Sequence, residues 1–209
     1  HAAFDLERIA ALRPDLAIAW GSGNPPGRVA QLRRLKIPVF VNEPRRLEDI
    51  PASLRRFGQL AGVPAEDAAR AFEQRLAALR ARHASAAVLD VFYEIWNQPL
   101  MTIGGNHVIS AAIAVCGGRN VFAALTQPAA GIELEAVLRA DPAVIVASGM
   151  DAARPEWLDH WRRWPQLAAV KNGNLFFVPP DLLQRHTPRI LDGVEQLCAA
   201  FDAARQRGR

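Results

Sequence analysis

The sequence predicts an α/β fold of two lobes bridged by one long helix, and three observations carry that expectation. Short apolar runs of strand length alternate with helical patterns, the arrangement that builds parallel sheets. An amphipathic stretch from Pro64 to His83 interrupts the alternation. It then resumes, and Leu134-Glu-Ala-Val-Leu-Arg-Ala-Asp-Pro-Ala-Val-Ile-Val-Ala147 echoes Leu6-Glu-Arg-Ile-Ala-Ala-Leu-Arg-Pro-Asp-Leu-Ala-Ile-Ala19 in its Leu-Glu helix start, its proline and its closing strand. The expected boundaries are residues 1–62 for the remainder of an N-terminal lobe, 63–84 for the interlobe helix and 85–209 for a C-terminal lobe.

Taken in order, Asp5 to Leu12 reads as a helix with Leu6, Ile9, Ala10 and Leu12 toward a core, stopped by Pro14. Asp15-Leu-Ala-Ile-Ala-Trp20 is a short buried strand, Gly21 to Gly27 a loop, Arg28 to Leu35 a helix and Pro38-Val-Phe-Val-Asn42 the next strand. Leu47 to Leu60 is helical. Pro64 opens the long helix near its first turn, where a missing N–H costs little, and Ala68, Phe72, Leu76 and Leu79 mark its apolar face. The second half reads as a strand from Ala87 to Trp96, helices at Asn106 to Cys116 and Glu133 to Ala140, and a strand from Ala143 to Ser148. A helical stretch from Glu156 to Val170, a strand from Asn174 to Val178 and a final helix from Pro188 to Gln206 complete it.

Composition excludes several classes. With 209 residues, half of them apolar and 22% charged, the chain has an ordinary globular balance rather than a disordered one. The net charge of +4 is spread over helices in which arginines and acids mix, so no basic block with stacking aromatics points to nucleic acid. No apolar run approaches the ~18 to 20 residues a membrane span needs. The opening His1-Ala-Ala-Phe-Asp-Leu is already helical in pattern and lacks a signal peptide's charged and apolar regions, so either a processed segment was removed or an N-terminal portion is missing, and the family resemblance given below implies the second, with part of the first lobe absent.

Trp20-Gly21-Ser22-Gly23-Asn24-Pro25-Pro26-Gly27 imitates a dinucleotide-binding turn, and Glu43 follows near the distance of a ribose-binding acid. Pro25 and Pro26, however, remove backbone N–H donors where a pyrophosphate would need them. A nucleotide-dependent α/β enzyme therefore stands only as the alternative from another functional class. The five histidines, His1, His83, His107, His160 and His186, are scattered without metal-ligand spacing, and Ser110 and Ser148 lack a nucleophile-elbow frame. No catalytic or metal-binding residue is assigned. Trp20 and Trp96 each close a strand, where ligands collect in α/β sheets, or else each anchors packing. Cys116 and Cys198 show no Cys-x-x-Cys spacing and are either small buried hydrophobes or partners in a bridge.

Several runs together carry a family resemblance. They are Phe4 to Asn24, Gln31 to Val39, Pro99-Leu-Met-Thr-Ile-Gly-Gly105, Cys116-Gly-Gly-Arg-Asn-Val-Phe122, Glu135 to Val146 and Arg185-His-Thr-Pro-Arg-Ile-Leu191. In order and spacing the chain resembles the periplasmic cobalamin-binding proteins of vitamin B12 ABC importers over essentially its whole length. The resemblance implies a class III binding protein: two Rossmann-like lobes joined by a rigid helix, cobalamin or a related corrinoid held between them as cargo, and docking onto permease subunits. It implies no catalytic cofactor and no chemical step. Trp20 and the turn Gly21, Ser22, Gly23 and Asn24 match a cargo-lining segment, Leu100 falls at a cleft phenylalanine with Met101 beside it, and Asp181 and Arg185 match polar residues near the cargo. Trp96 joins this set as a further aromatic.

By the same resemblance Glu7 and Glu135 match the glutamates, one per lobe, that meet permease arginines, and Cys116 and Cys198 fall where relatives form a disulfide. Such a bridge would favour folding by roughly 4 to 5 kcal/mol through loop-closure entropy and implies an oxidising compartment, the periplasm. The chain departs from the family pattern at Gln127-Pro-Ala-Ala-Gly-Ile132, where Ala129 lies nearest a tryptophan position, and at Leu182-Leu183, which replace an aromatic pair. Those changes keep haem and ferric siderophores open as alternative cargoes.

Overall fold

The computed structural model describes residues 5–149 and 152–208. His1 and Phe4, which entered the sequence reading, lie outside the described residues. The chain divides into two compact units, one through Pro44 and one from Arg45 onward.

In the first unit, Asp5 caps helix α1 (Leu6–Ala11) by accepting a hydrogen bond from the Arg8 N–H at 3.0 Å, satisfying one of the donors a helix start leaves open. Strand β1 (Ala17–Trp20) and strand β2 (Val39–Asn42) pair in parallel, with Trp20 opposite Asn42, and helix α2 (Pro26–Arg34) is their crossover. This is the expected strand-helix-strand unit. The helix starts two residues earlier than its pattern suggested, because proline at its first position loses no hydrogen bond. Leu12, expected toward a core, is 75% exposed beyond the end of α1.

The second unit opens with α3 (Asp49–Ala61) and α4 (Glu66–His83). The buried face of α4 is Ala69, Phe72, Leu76, Leu79 and His83, so Ala69 replaces Ala68: steps of three and four residues follow the 3.6-residue period better than repeated fours. Arg55 bridges the two helices, meeting Glu66 at 2.8 Å and Glu73 at 2.6 Å, and Arg80 pairs with Glu48.

Strand β3 (Leu89–Asn97) is the spine of a six-stranded sheet. It pairs antiparallel with β4 (Leu100–Ile103), and β4 with β6 (Ala129–Gly131). It pairs in parallel with β5 (Gly118–Asn120) and with β7 (Val144–Ala147), and β7 with β8 (Leu175–Phe177). Alternate residues feed two cores. Val91, Tyr93, Val144 and Val146 join one with Phe72, Leu76, Ile113 and Phe201, whereas Phe92, Ile145 and Ala147 join the other with Leu158 and Trp161. Burial on both faces explains why β3 and β7 read as nearly continuous apolar runs.

The first core is closed by α5 (Val108–Val115) and α9 (Ile190–Arg207), the second by α6 (Leu134–Ala140). Cys116 follows α5 directly, and its sulfur is bonded to that of Cys198 in α9. Both halves of the bridge are buried in the first core. Gly117 takes the left-handed φ of +71° that lets the chain turn from α5 into β5, and the Arg205 guanidinium of α9 donates to the Cys116 and Gly117 carbonyls at 2.6 and 3.1 Å. The Cys-Gly-Gly motif is thus the place where the last helix is locked to the middle of the chain.

Two parts of this unit differ from expectation. Strands β4, β5 and β6 occupy sequence that read as loop, since runs of three or four residues gain strand character from their neighbours rather than from pattern. The helix expected from Glu156 to Val170 is a 3-10 helix at Glu156–Arg163 and a separate short helix α7 (Ala168–Lys171). Pro165 breaks the run by holding Trp164 away from helical backbone.

Candidate functional site

In the first unit the turn after β1 is built as a self-contained ring of hydrogen bonds. The Trp20 N–H donates to the Asn24 side-chain oxygen at 2.6 Å, and the Asn24 N–H returns to the Trp20 carbonyl at 2.9 Å. The Ser22 N–H donates to a Glu43 carboxylate oxygen at 2.6 Å. Gly23 lies against the indole: a methyl group there would stand 2.0 Å from a ring carbon of Trp20. The turn therefore presents the Trp20 side chain, 53% exposed, on a backbone fixed by its own residues. A pyrophosphate has no seat here. Pro25 and Pro26 supply no N–H at the start of α2, and the Glu43 carboxylate already takes the turn's Ser22 donor.

In the second unit Trp96 and Met101 face each other across the β3–β4 pair, and Leu100 opens β4. The Trp96 ring N–H donates to the Gln98 carbonyl at 2.7 Å, which orients the indole over the connection between the strands. Asp181 lies in the short helix α8 (Pro180–Leu183), and Arg185 follows it; the two exposed side chains form an ion pair at 2.9 Å. Leu182 and Leu183 beside them are buried in the first core, so they are packing residues.

Sequence reading missed a pocket in this unit. Glu94, on β3, is 2% exposed, and one carboxyl oxygen accepts the Trp161 ring N–H at 2.7 Å. Burial pushes the carboxyl up to about 8, and the indole hydrogen bond only partly opposes that shift. Above it opens a pocket of about 190 Å³ whose walls include Leu100, Leu134, Trp157 and Trp164. His160 and Arg163, both exposed, stand at its edge. Two signals for it were present in the chain. One was a carboxylate inside an otherwise apolar two-sided strand; the other was Trp157, Trp161 and Trp164 at helical spacing.

Glu7 and Glu135 occupy equivalent places, each the second residue of a helix that begins with leucine and leads to a parallel strand. Both side chains are exposed, and negative charge is favourable in a first helical turn.

A family model described as periplasmic binding protein matches residues 1–182. The vitamin B12-binding protein of Vibrio cholerae serotype O1 is 34% identical over 210 residues, covering 99% of this chain and 75% of that protein. The vitamin B12-binding protein of Yersinia pestis is 35% identical over 196 residues, covering 93% and 68%. The crystal structure of the periplasmic vitamin B12-binding protein BtuF of Vibrio cholerae superposes with a TM-score of 0.86 at 33% identity, covering 96% of this chain and 78% of that one. A periplasmic haem-binding protein from Pseudomonas aeruginosa superposes with a TM-score of 0.78 at 27% identity, covering 93% and 74%.

Proposed function

This chain belongs to the periplasmic binding protein family, and on that premise we propose that it captures cobalamin or a related corrinoid and delivers it to the permease of an ABC importer. The observation that carries the cargo assignment is the identity of 34 to 35% with vitamin B12-binding proteins over almost the whole chain. Haem is the second reading, supported by the likeness to the haem-binding protein at 27% identity. Capture requires no bond to be made or broken, so the protein acts as a binder and not as an enzyme. Its work is to offer flat apolar contacts and a few directed hydrogen bonds to a large macrocycle. The buried Cys116–Cys198 bridge supports a periplasmic location, because such bonds persist in oxidising compartments.

Trp20 is the aromatic contact on the first unit, with Gly21, Ser22, Gly23 and Asn24 fixing its backbone. Leu100, Met101 and Trp96 supply apolar surface on the second, and the Asp181–Arg185 pair supplies polar groups that can turn to cargo amides. Trp20→Ala is expected to weaken cobalamin binding about tenfold without lowering the melting temperature, since an exposed ring on a self-supported turn contributes contact and little core. Tryptophan quenching and calorimetry check this; unchanged affinity assigns Trp20 to packing.

Glu7 and Glu135 act in delivery, each meeting a basic group on the permease. Reversing either to lysine is expected to leave cobalamin affinity within a factor of two while impairing uptake into cells, because like charges then oppose docking. Loss of cargo binding by a folded reversal variant, or normal uptake, removes that glutamate from the docking surface.

A further inference from the structure

We propose that the pocket over Glu94 is a specificity subsite for a neutral primary carboxamide arm of the cargo, a role that rests on the corrinoid reading above. The floor carries the argument. One Glu94 oxygen is taken by the Trp161 N–H, and among the described residues no hydrogen bond reaches the other, which keeps some access on a residue that is only 2% exposed and lines an open pocket. An acceptor that no protein group uses and that a ligand can reach is a place where a guest's donor adds a hydrogen bond. Held neutral by burial, the carboxyl offers both an O–H donor and an acceptor, the pattern complementary to a carboxamide's C=O and N–H.

The walls fit the rest of such an arm. Leu100, Leu134, Trp157 and Trp164 give an apolar sleeve for methylene groups. Arg163 at its edge disfavours a cationic guest, and a carboxylate guest, which has no N–H to give, leaves the Glu94 acceptor unused. Leu100, assigned above to the cargo surface, is also part of this wall, so an arm of a macrocycle resting on Leu100 has direct entry. Corrinoids carry peripheral amides, whereas haem carries carboxylates, which makes this pocket a means of telling the two apart.

The test is titration of the wild-type protein, Glu94→Gln and Glu94→Met with cobalamin, with circular dichroism confirming that each variant is folded. Glu94→Gln keeps a donor and an acceptor and is expected to bind within about threefold of wild type; Glu94→Met keeps the length but not the hydrogen bonds and is expected to lose at least tenfold. In the wild-type protein itself, the infrared band of the protonated Glu94 carboxyl, identified by its absence in Glu94→Gln, should shift when cobalamin is added. Wild-type affinity in Glu94→Met, or a band unmoved by bound cobalamin, overturns the subsite alone. Failure of the wild-type protein to bind cobalamin overturns the corrinoid reading and the subsite with it.

Discussion

Replacing Cys116 and Cys198 together by alanine is expected to lower the unfolding free energy by about 4.5 kcal/mol, the loop-closure entropy of a crosslink spanning 82 residues. With a urea dependence of about 2 kcal/mol per molar, the midpoint falls by about 2 M. The effect is large because the bridge joins the end of α5 to the last helix, two elements that share the first core but lie far apart in the chain. Denaturant titration of both proteins measures it, and mass spectrometry of the unreduced wild type must show the thiols oxidised. Equal midpoints would mean that packing of α9 alone fixes the C-terminal segment.

Glu94→Gln is expected to raise stability, and the gain depends on pH. An unfolded glutamate releases its proton near 4.5, whereas Glu94 in the folded protein holds it up to about 8. Between those values the folded state binds more protons than the unfolded state, so stability falls as pH rises. The slope is about 1.4 kcal/mol per pH unit and the total about 5 kcal/mol. Below pH 4.5 the wild type and the variant should agree; by pH 8 the variant should be the more stable by most of that amount, since glutamine accepts the Trp161 hydrogen bond without a charge to bury. Unfolding midpoints from pH 4 to 9 give the two curves. Parallel curves would mean that water or structural relaxation accommodates the ionised Glu94.

The Cys116–Cys198 bridge and Glu94 also mark what the amino-acid pattern reveals and what it hides. The long helices were legible because their apolar positions repeat with the helical period, as Phe72, Leu76 and Leu79 do on α4, and the doubly buried strands because they are short unbroken apolar runs, as Val144 to Ala147 is on β7. The Trp20 turn was legible because glycine frees the backbone and proline fixes it locally, whatever packs around them. The Cys116–Cys198 pairing was implied by family resemblance, and the structure contains it.

Strands β4 to β6 were hidden for a physical reason. Leu100–Ile103 is a strand because β3 and β6 flank it, and that pairing is a tertiary fact. The Glu94 pocket was hidden for another. An acid in an apolar strand signals that a partner is needed, but the partner, Trp161, comes from a 3-10 helix 67 residues away. That helix, Glu156–Arg163, is separate from α7, whereas the periodicity read the two as one continuous helix.

The most direct measurement of the central claim is a calorimetric titration of the protein with cobalamin, with haem titrated in parallel under the same conditions. The account predicts saturable binding of one cobalamin per chain, with haem bound at least tenfold more weakly. Haem bound as tightly as cobalamin or more so, or no saturable heat from cobalamin, would contradict it.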